Sequence, residues 1–73
     1  MPDQEWVKTF ADGKKVQYIY QELPEDGAYL SAQIAGHEVV YSVILERAGN
    51  PLSREEVESH FHSELSNHGE LLN

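Results

Sequence analysis

Among the side chains able to do chemistry near neutral pH, the histidines come first: His37, His60, His62 and His68, the last three close together. On a helix His60, Glu64 and His68 recur every four residues and share a face, a spacing that can hold a divalent cation. A structural zinc site takes four ligands and a catalytic one three with an open position, and His68 falls where the helix is ending. The trio is thus the candidate metal site, and it carries the metal-binding or enzymatic alternative. The competing reading is that of solvated imidazoles near the negative end of the helix dipole. His62, beside Phe61, lies on a different helical face from His60 and does not chelate with it.

Nothing else has the spacing of a reactive centre. The hydroxyls of Thr9, Ser31, Ser42, Ser53, Ser59, Ser63 and Ser66 sit in no strained, glycine-flanked nucleophile turn. The carboxylate pairs Glu25-Asp26 and Glu55-Glu56 belong to a turn and to a first helical turn, where burial does not tune them for acid/base work. Gly13, Gly27, Gly36, Gly49 and Gly69 are spread one per turn and make no phosphate cradle. The expectation is a chain without catalytic residues and without a cofactor. The aromatic set Trp6, Tyr18, Tyr20, Tyr29 and Tyr41 points elsewhere, because Tyr and Trp ringed by acidic residues are common at protein interfaces.

Composition narrows the partner class. The chain has 73 residues, 13 acidic against 5 basic, a net charge of −8 and no cysteine. A surface of that sign repels nucleic-acid phosphates and anionic lipid, and the few basic residues form no stripe, so direct nucleic-acid binding is not expected. The longest apolar runs, Val39-Val40-Tyr41 and Val43-Ile44-Leu45, fall far short of the roughly 20 residues that span a bilayer. Without disulfides, so small a core looks to self-association for added stability, and a cytoplasmic setting fits a cysteine-free chain.

The elements that carry these residues read as an α+β fold: a four-stranded antiparallel meander, β1 over 5–11, β2 over 14–23, β3 over 28–35 and β4 over 37–47, then one amphipathic helix over 54–67. Asp12-Gly13 predicts a two-residue hairpin turn that sets Val7 opposite Tyr18, Thr9 opposite Val16 and Trp6 opposite Ile19. Pro24-Glu25-Asp26-Gly27 is the second turn, with Asp-Gly supplying positive φ. Alternation places Leu30, Ala32, Ile34, Val39, Tyr41, Val43 and Leu45 on the core side. Ser53-Arg54-Glu55-Glu56 is a capping box, and Leu52 with Val57 forms a hydrophobic staple. Val57, Phe61 and Leu65 make the apolar stripe, Gly69 is the terminating residue, and Leu71 and Leu72 are placed under a sheet edge. Residues 1–4 and 70–73 are expected to fray.

One helix covers one side of the sheet, so the other side is the candidate partner surface, with Tyr29, Val40, Ile44, Trp6 and Ile19 as its interface residues. The leading expectation is a small acidic protein-interaction module, an inhibitor or regulator of a partner with a basic surface. Phage-encoded inhibitors and nucleic-acid mimics are analogous in size and charge alone. The alternative is a homodimeric domain with the uncovered face as its interface.

Overall fold

The structure is a computed structural model that describes residues 3–10 and 13–67. Four strands, β1 (Gln4–Thr9), β2 (Lys15–Leu23), β3 (Gly27–Ile34) and β4 (Val40–Glu46), form one antiparallel sheet in the order β1-β2-β3-β4, followed by α1 (Arg54–Asn67). This is the α+β arrangement expected, with the helix over the expected residues. At the start of β1 the Asp3 amide donates to the Tyr20 carbonyl at 3.0 Å, and Gln4 pairs with Tyr20. The expectations for Ala11, Asp12, His68, Gly69, Leu71, Leu72 and the 70–73 end lie outside the described residues.

The first hairpin differs from its sequence reading by one residue. Phe10 donates to the Lys14 carbonyl at 2.8 Å and accepts from the Gly13 amide at 2.9 Å, so Phe10 and Lys14 close the hairpin, with Gly13 left-handed at φ 88°. A loop one residue longer than the two-residue turn moves every pairing by one place and turns β1 over. Trp6 is opposite Tyr18, Val7 opposite Gln17 and Lys8 opposite Val16, instead of the Val7–Tyr18, Thr9–Val16 and Trp6–Ile19 pairs. Trp6 therefore faces the helix, where it stacks on Tyr18 with centroids 5.5 Å apart.

In the second turn the positive φ expected of the Asp-Gly pair falls on Asp26, and Glu25 shares it. Glu25 and Asp26 have φ of 61° and 62°, while Gly27 starts β3. A Cβ at Gly27 would sit 3.3 Å from the Leu23 Cβ, a tight contact, so glycine there serves close approach between strand ends and not handedness. Asp26 then joins two turns: its carbonyl accepts from the Arg47 amide at 2.8 Å, and its carboxylate accepts from the Gly49 amide at 3.0–3.1 Å. Arg47 completes the knot, donating to the carbonyls of Gly27 at 2.7 Å and Leu23 at 3.2 Å.

Between β3 and β4 the alternation holds, with Leu30 opposite Val43 and Ala32 opposite Tyr41. β4 begins later than expected, because Gly36 is left-handed and the Gln33 side chain donates to the His37 carbonyl at 2.9 Å, closing a longer loop. Val39 is thereby left outside the strand and 59% exposed, not in the core. Val43 does point to the helix side but remains 38% exposed.

The core joins Val16, Tyr18 and Tyr20 of β2, Ala28, Leu30, Ala32 and Ile34 of β3, and Val57, Phe61 and Leu65 of the helix, with Trp6, Phe10, Tyr41, Leu45 and Leu52 packed around it. The capping box forms as read: the Glu56 amide donates to Ser53 Oγ and the Ser53 amide to Glu56 Oε1, both at 3.2 Å. Among the described residues no helix is long and apolar enough to cross a membrane.

Ala48 holds φ 56° beside Gly49 at 84°. A non-glycine residue there costs about 1 kcal/mol, so Ala48→Gly is expected to raise the urea-unfolding free energy by roughly 0.5–1 kcal/mol. Gly49→Ala should lower it by a similar amount, and equal effects of the two substitutions would contradict this turn geometry.

Candidate protein-binding face

Because side chains alternate along each strand, the register places one set of residues on the side away from the helix. From β1 to β4 these are Glu5, Val7 and Thr9; Lys15, Gln17, Ile19, Gln21 and Leu23; Tyr29, Ser31 and Gln33; and Val40, Ser42, Ile44 and Glu46. Cross-strand rows are correspondingly mixed: Val7, Gln17, Gln33 and Val40 in one, Glu5, Ile19, Ser31 and Ser42 in the next, Gln21, Tyr29 and Ile44 in a third. The middle of the face is apolar or neutral-polar throughout, and charge occurs only at its margins, in Glu5, Lys15 and Glu46.

Four of the five sequence candidates come together here. Tyr29 and Ile44 are opposite one another across β3 and β4, Ile19 lies in the neighbouring row, and Val40 closes the row beyond it. Ile44 is 69% and Val40 50% exposed, while Tyr29 and Ile19 are half-buried by their neighbours. Trp6 is not part of the face, since the slipped register carries it to the helix side. Val7 takes its place at 58% exposure. Sequence reading misses the neutral set Gln17, Gln21, Gln33 and Ser42. Their signal is present in the alternation, where the face positions within 17–21, 29–33 and 40–44 that are not apolar are amides and hydroxyls.

The opposite side is where the acid is used. Glu58, on the second turn of the helix, accepts from Trp6 Nε1 at 2.9 Å through one oxygen and from Lys8 Nζ at 3.1 Å through the other. Arg54 reaches Gln4 Oε1 at 3.0 Å and lies over the Trp6 ring at 5.0 Å. These contacts fasten the helix to the edge strand β1. Beside them Lys8, Phe10, Tyr18, Glu58, His62 and Leu65 line a cleft of about 290 Å³. It is at the small end of the range for ligand pockets, and the Lys8–Glu58 ion pair occupies its wall.

His60 and Glu64 are both exposed on the helix, one turn apart, while His68 lies outside the described residues. Among the described residues no three metal-ligating side chains converge. His37 is in the loop before β4, away from the other two described histidines in sequence and exposed. A scan against protein-family models finds no match to this chain, and searches of the curated proteins and of the solved structures find none either.

Two phenols on the helix side are perturbed. Burial moves the Tyr18 hydroxyl from 10.0 up to about 12, and the negative charge of Glu58 adds to the shift. Tyr20 is also raised, by burial first and by its 2.9 Å hydrogen bond to Glu22, against the opposing effect of the Leu52 amide that donates to its oxygen. An unfolded chain ionises Tyr18 near 10, whereas the folded chain keeps it neutral to about 12. Its contribution to stability is therefore complete below pH 10 and is lost as the pH rises to 12. Urea titrations across that interval should show falling stability, and Tyr18→Phe should show a shallower fall. An unchanged slope in the variant would assign the alkaline loss to other groups.

Proposed function

We propose that this chain is a small protein-binding module whose working surface is the open face of the sheet. The observation that carries the reading is the partition of charge: in a chain of net charge −8, the middle of one whole sheet face holds no ionisable side chain except tyrosine. Interfaces have this anatomy, with charge depleted at the centre, an aromatic or branched aliphatic anchor, and a polar rim. Tyr29 and Ile44 are the anchor pair, and Gln17, Gln21, Gln33 and Ser42 supply hydrogen-bonding groups that need no charge neutralisation when water leaves.

The rim selects the partner. Glu5, Glu46 and the loop residue Glu38 border the face, with Lys15 as the exception, so the complementary surface is neutral in the middle and basic around it. An inhibitor or regulator that covers a basic surface on another protein is the role that suits this combination. The acidic outer side of the helix, with Glu55, Glu56 and Glu64, adds to the long-range attraction without forming the contact.

A photo-crosslinking amino acid at exposed Gln17, on the inner strand β2 of the face, should join the chain to its partner, and one at exposed Ser63 on the helix should not. The yield at Gln17 should fall as ionic strength rises from low to physiological values. Crosslinking from Ser63 alone would move the working surface to the helix and end this reading.

A further inference from the structure

Among the described residues β4 is an outer strand with no partner strand on its far edge, whereas the opposite edge of the sheet is protected. The β1 edge carries Glu5 and an inward-pointing Lys8, and the helix is fastened along it by Trp6, Lys8 and Gln4. A lysine and an inward charge are standard means of preventing edge-to-edge pairing. β4 has neither: from Val40 to Leu45 it holds no charge, no proline and no break in its register with β3. The helix does not cover it, so Val43 is 38% exposed on the helix side, between the half-buried Tyr41 and Leu45, and Val40 and Ile44 are exposed on the other.

We propose that β4 pairs antiparallel with β4 of a second copy of this chain, about a two-fold axis at Val43, to make one continuous eight-stranded sheet. Val43 is the middle residue of Val40–Glu46, so this register engages the whole strand. On the helix side it sets Val43 against Val43 and Tyr41 against Leu45 in both directions, closing an apolar row that each copy leaves unfinished. On the other side Ser42 meets Ile44, and Val40 meets Glu46. Moving the axis to Ser42 would shorten the ladder and oppose Glu46 with Glu38, two like charges, which selects the Val43 register.

The self-complementary register points to a second copy as occupant, since Val43 is the middle residue of the strand and Tyr41 and Leu45 lie symmetrically about it. β4 holds no charge from Val40 to Leu45, and the Val43 register sets Glu46 against Val40, so two copies meet without like-charge contact at the seam. A ladder of this length covers on the order of 400 Å² per copy, below the roughly 800 Å² of a standard interface, which suits a weak dimer with a dissociation constant on the order of 100 μM. Because the remaining repulsion between copies is long-range, added salt strengthens the pairing, opposite to its effect on a basic partner at the open face. The pairing goes beyond the open-face reading and stands without it.

Sedimentation of the full chain up to about 0.5 mM, well above that dissociation constant, should show a monomer–dimer equilibrium that tightens with salt. Val43→Lys should weaken it more than ten-fold. Since the natural chain lacks cysteine, Val43→Cys gives an independent reading: mild oxidation should couple two copies through it much faster than through Ile19→Cys on the open face. A chain that stays monomeric throughout, or equal coupling rates for the Val43→Cys and Ile19→Cys variants, would overturn the proposal. Either result would leave the β4 edge open to a strand from a different protein. Loss of the Gln17 crosslink with the dimer intact would remove only the open-face function.

Discussion

A single helix about 10 Å across lies on a four-stranded sheet about 19 Å wide, and the rest of the molecule follows from that mismatch. The helix can rest over two or three strands, not four. It settles on the β1 and β2 side, where Tyr18 provides a buried platform between Trp6 at 5.5 Å and Phe61 at 6.5 Å, ring centre to ring centre. Its stripe of Val57, Phe61 and Leu65 is then fully buried, and β3 contributes Ala28 and Ala32 alongside Leu30 and Ile34. β4 is the strand left at the far side, with Tyr41 and Leu45 reaching the core margin and Val43 beyond it.

The parts of the fold legible in the sequence are those decided by local chemistry. The capping box at Ser53 and Glu56 needs only residues three apart, and the alternation through β3 and β4 needs only two neighbouring strands with matched apolar positions. Trp6 is misplaced by sequence reading because hairpin register depends on loop length, and Asp12-Gly13 is compatible with both a two- and a three-residue loop. A one-residue difference in that loop inverts β1 and decides whether the largest side chain in the chain belongs to the core or to the surface. Val39 is misplaced for a related reason: nothing in its own surroundings indicates that Gln33 will close the preceding loop on His37.

The candidate face is legible through its apolar residues and less so through its polar ones. Tyr29, Val40, Ile44 and Ile19 stand out in a hydropathy pattern. Gln17, Gln21, Gln33 and Ser42 are informative only in relation to the charge around them, and that relation exists once the strands are aligned. The same alignment gives Glu58 a role no spacing rule anticipates, since its two oxygens serve residues about fifty positions earlier in the chain.

The knotted turns and the helix ties also set an order in which the domain comes apart. The polar ties described between helix and sheet fall at its first half, Arg54 to Gln4 and Glu58 to Trp6 and Lys8, with Leu52 to Tyr20 just before it. Past Glu58, Phe61 and Leu65 hold the helix to the sheet by packing. Local opening therefore begins at the C-terminal half and travels toward Ser53, uncovering Phe10 and Tyr18 while the Asp26–Arg47 junction still holds the strands in register. The domain is hinged like a cover fixed along one side, and its most protected amides belong to β2 and β3.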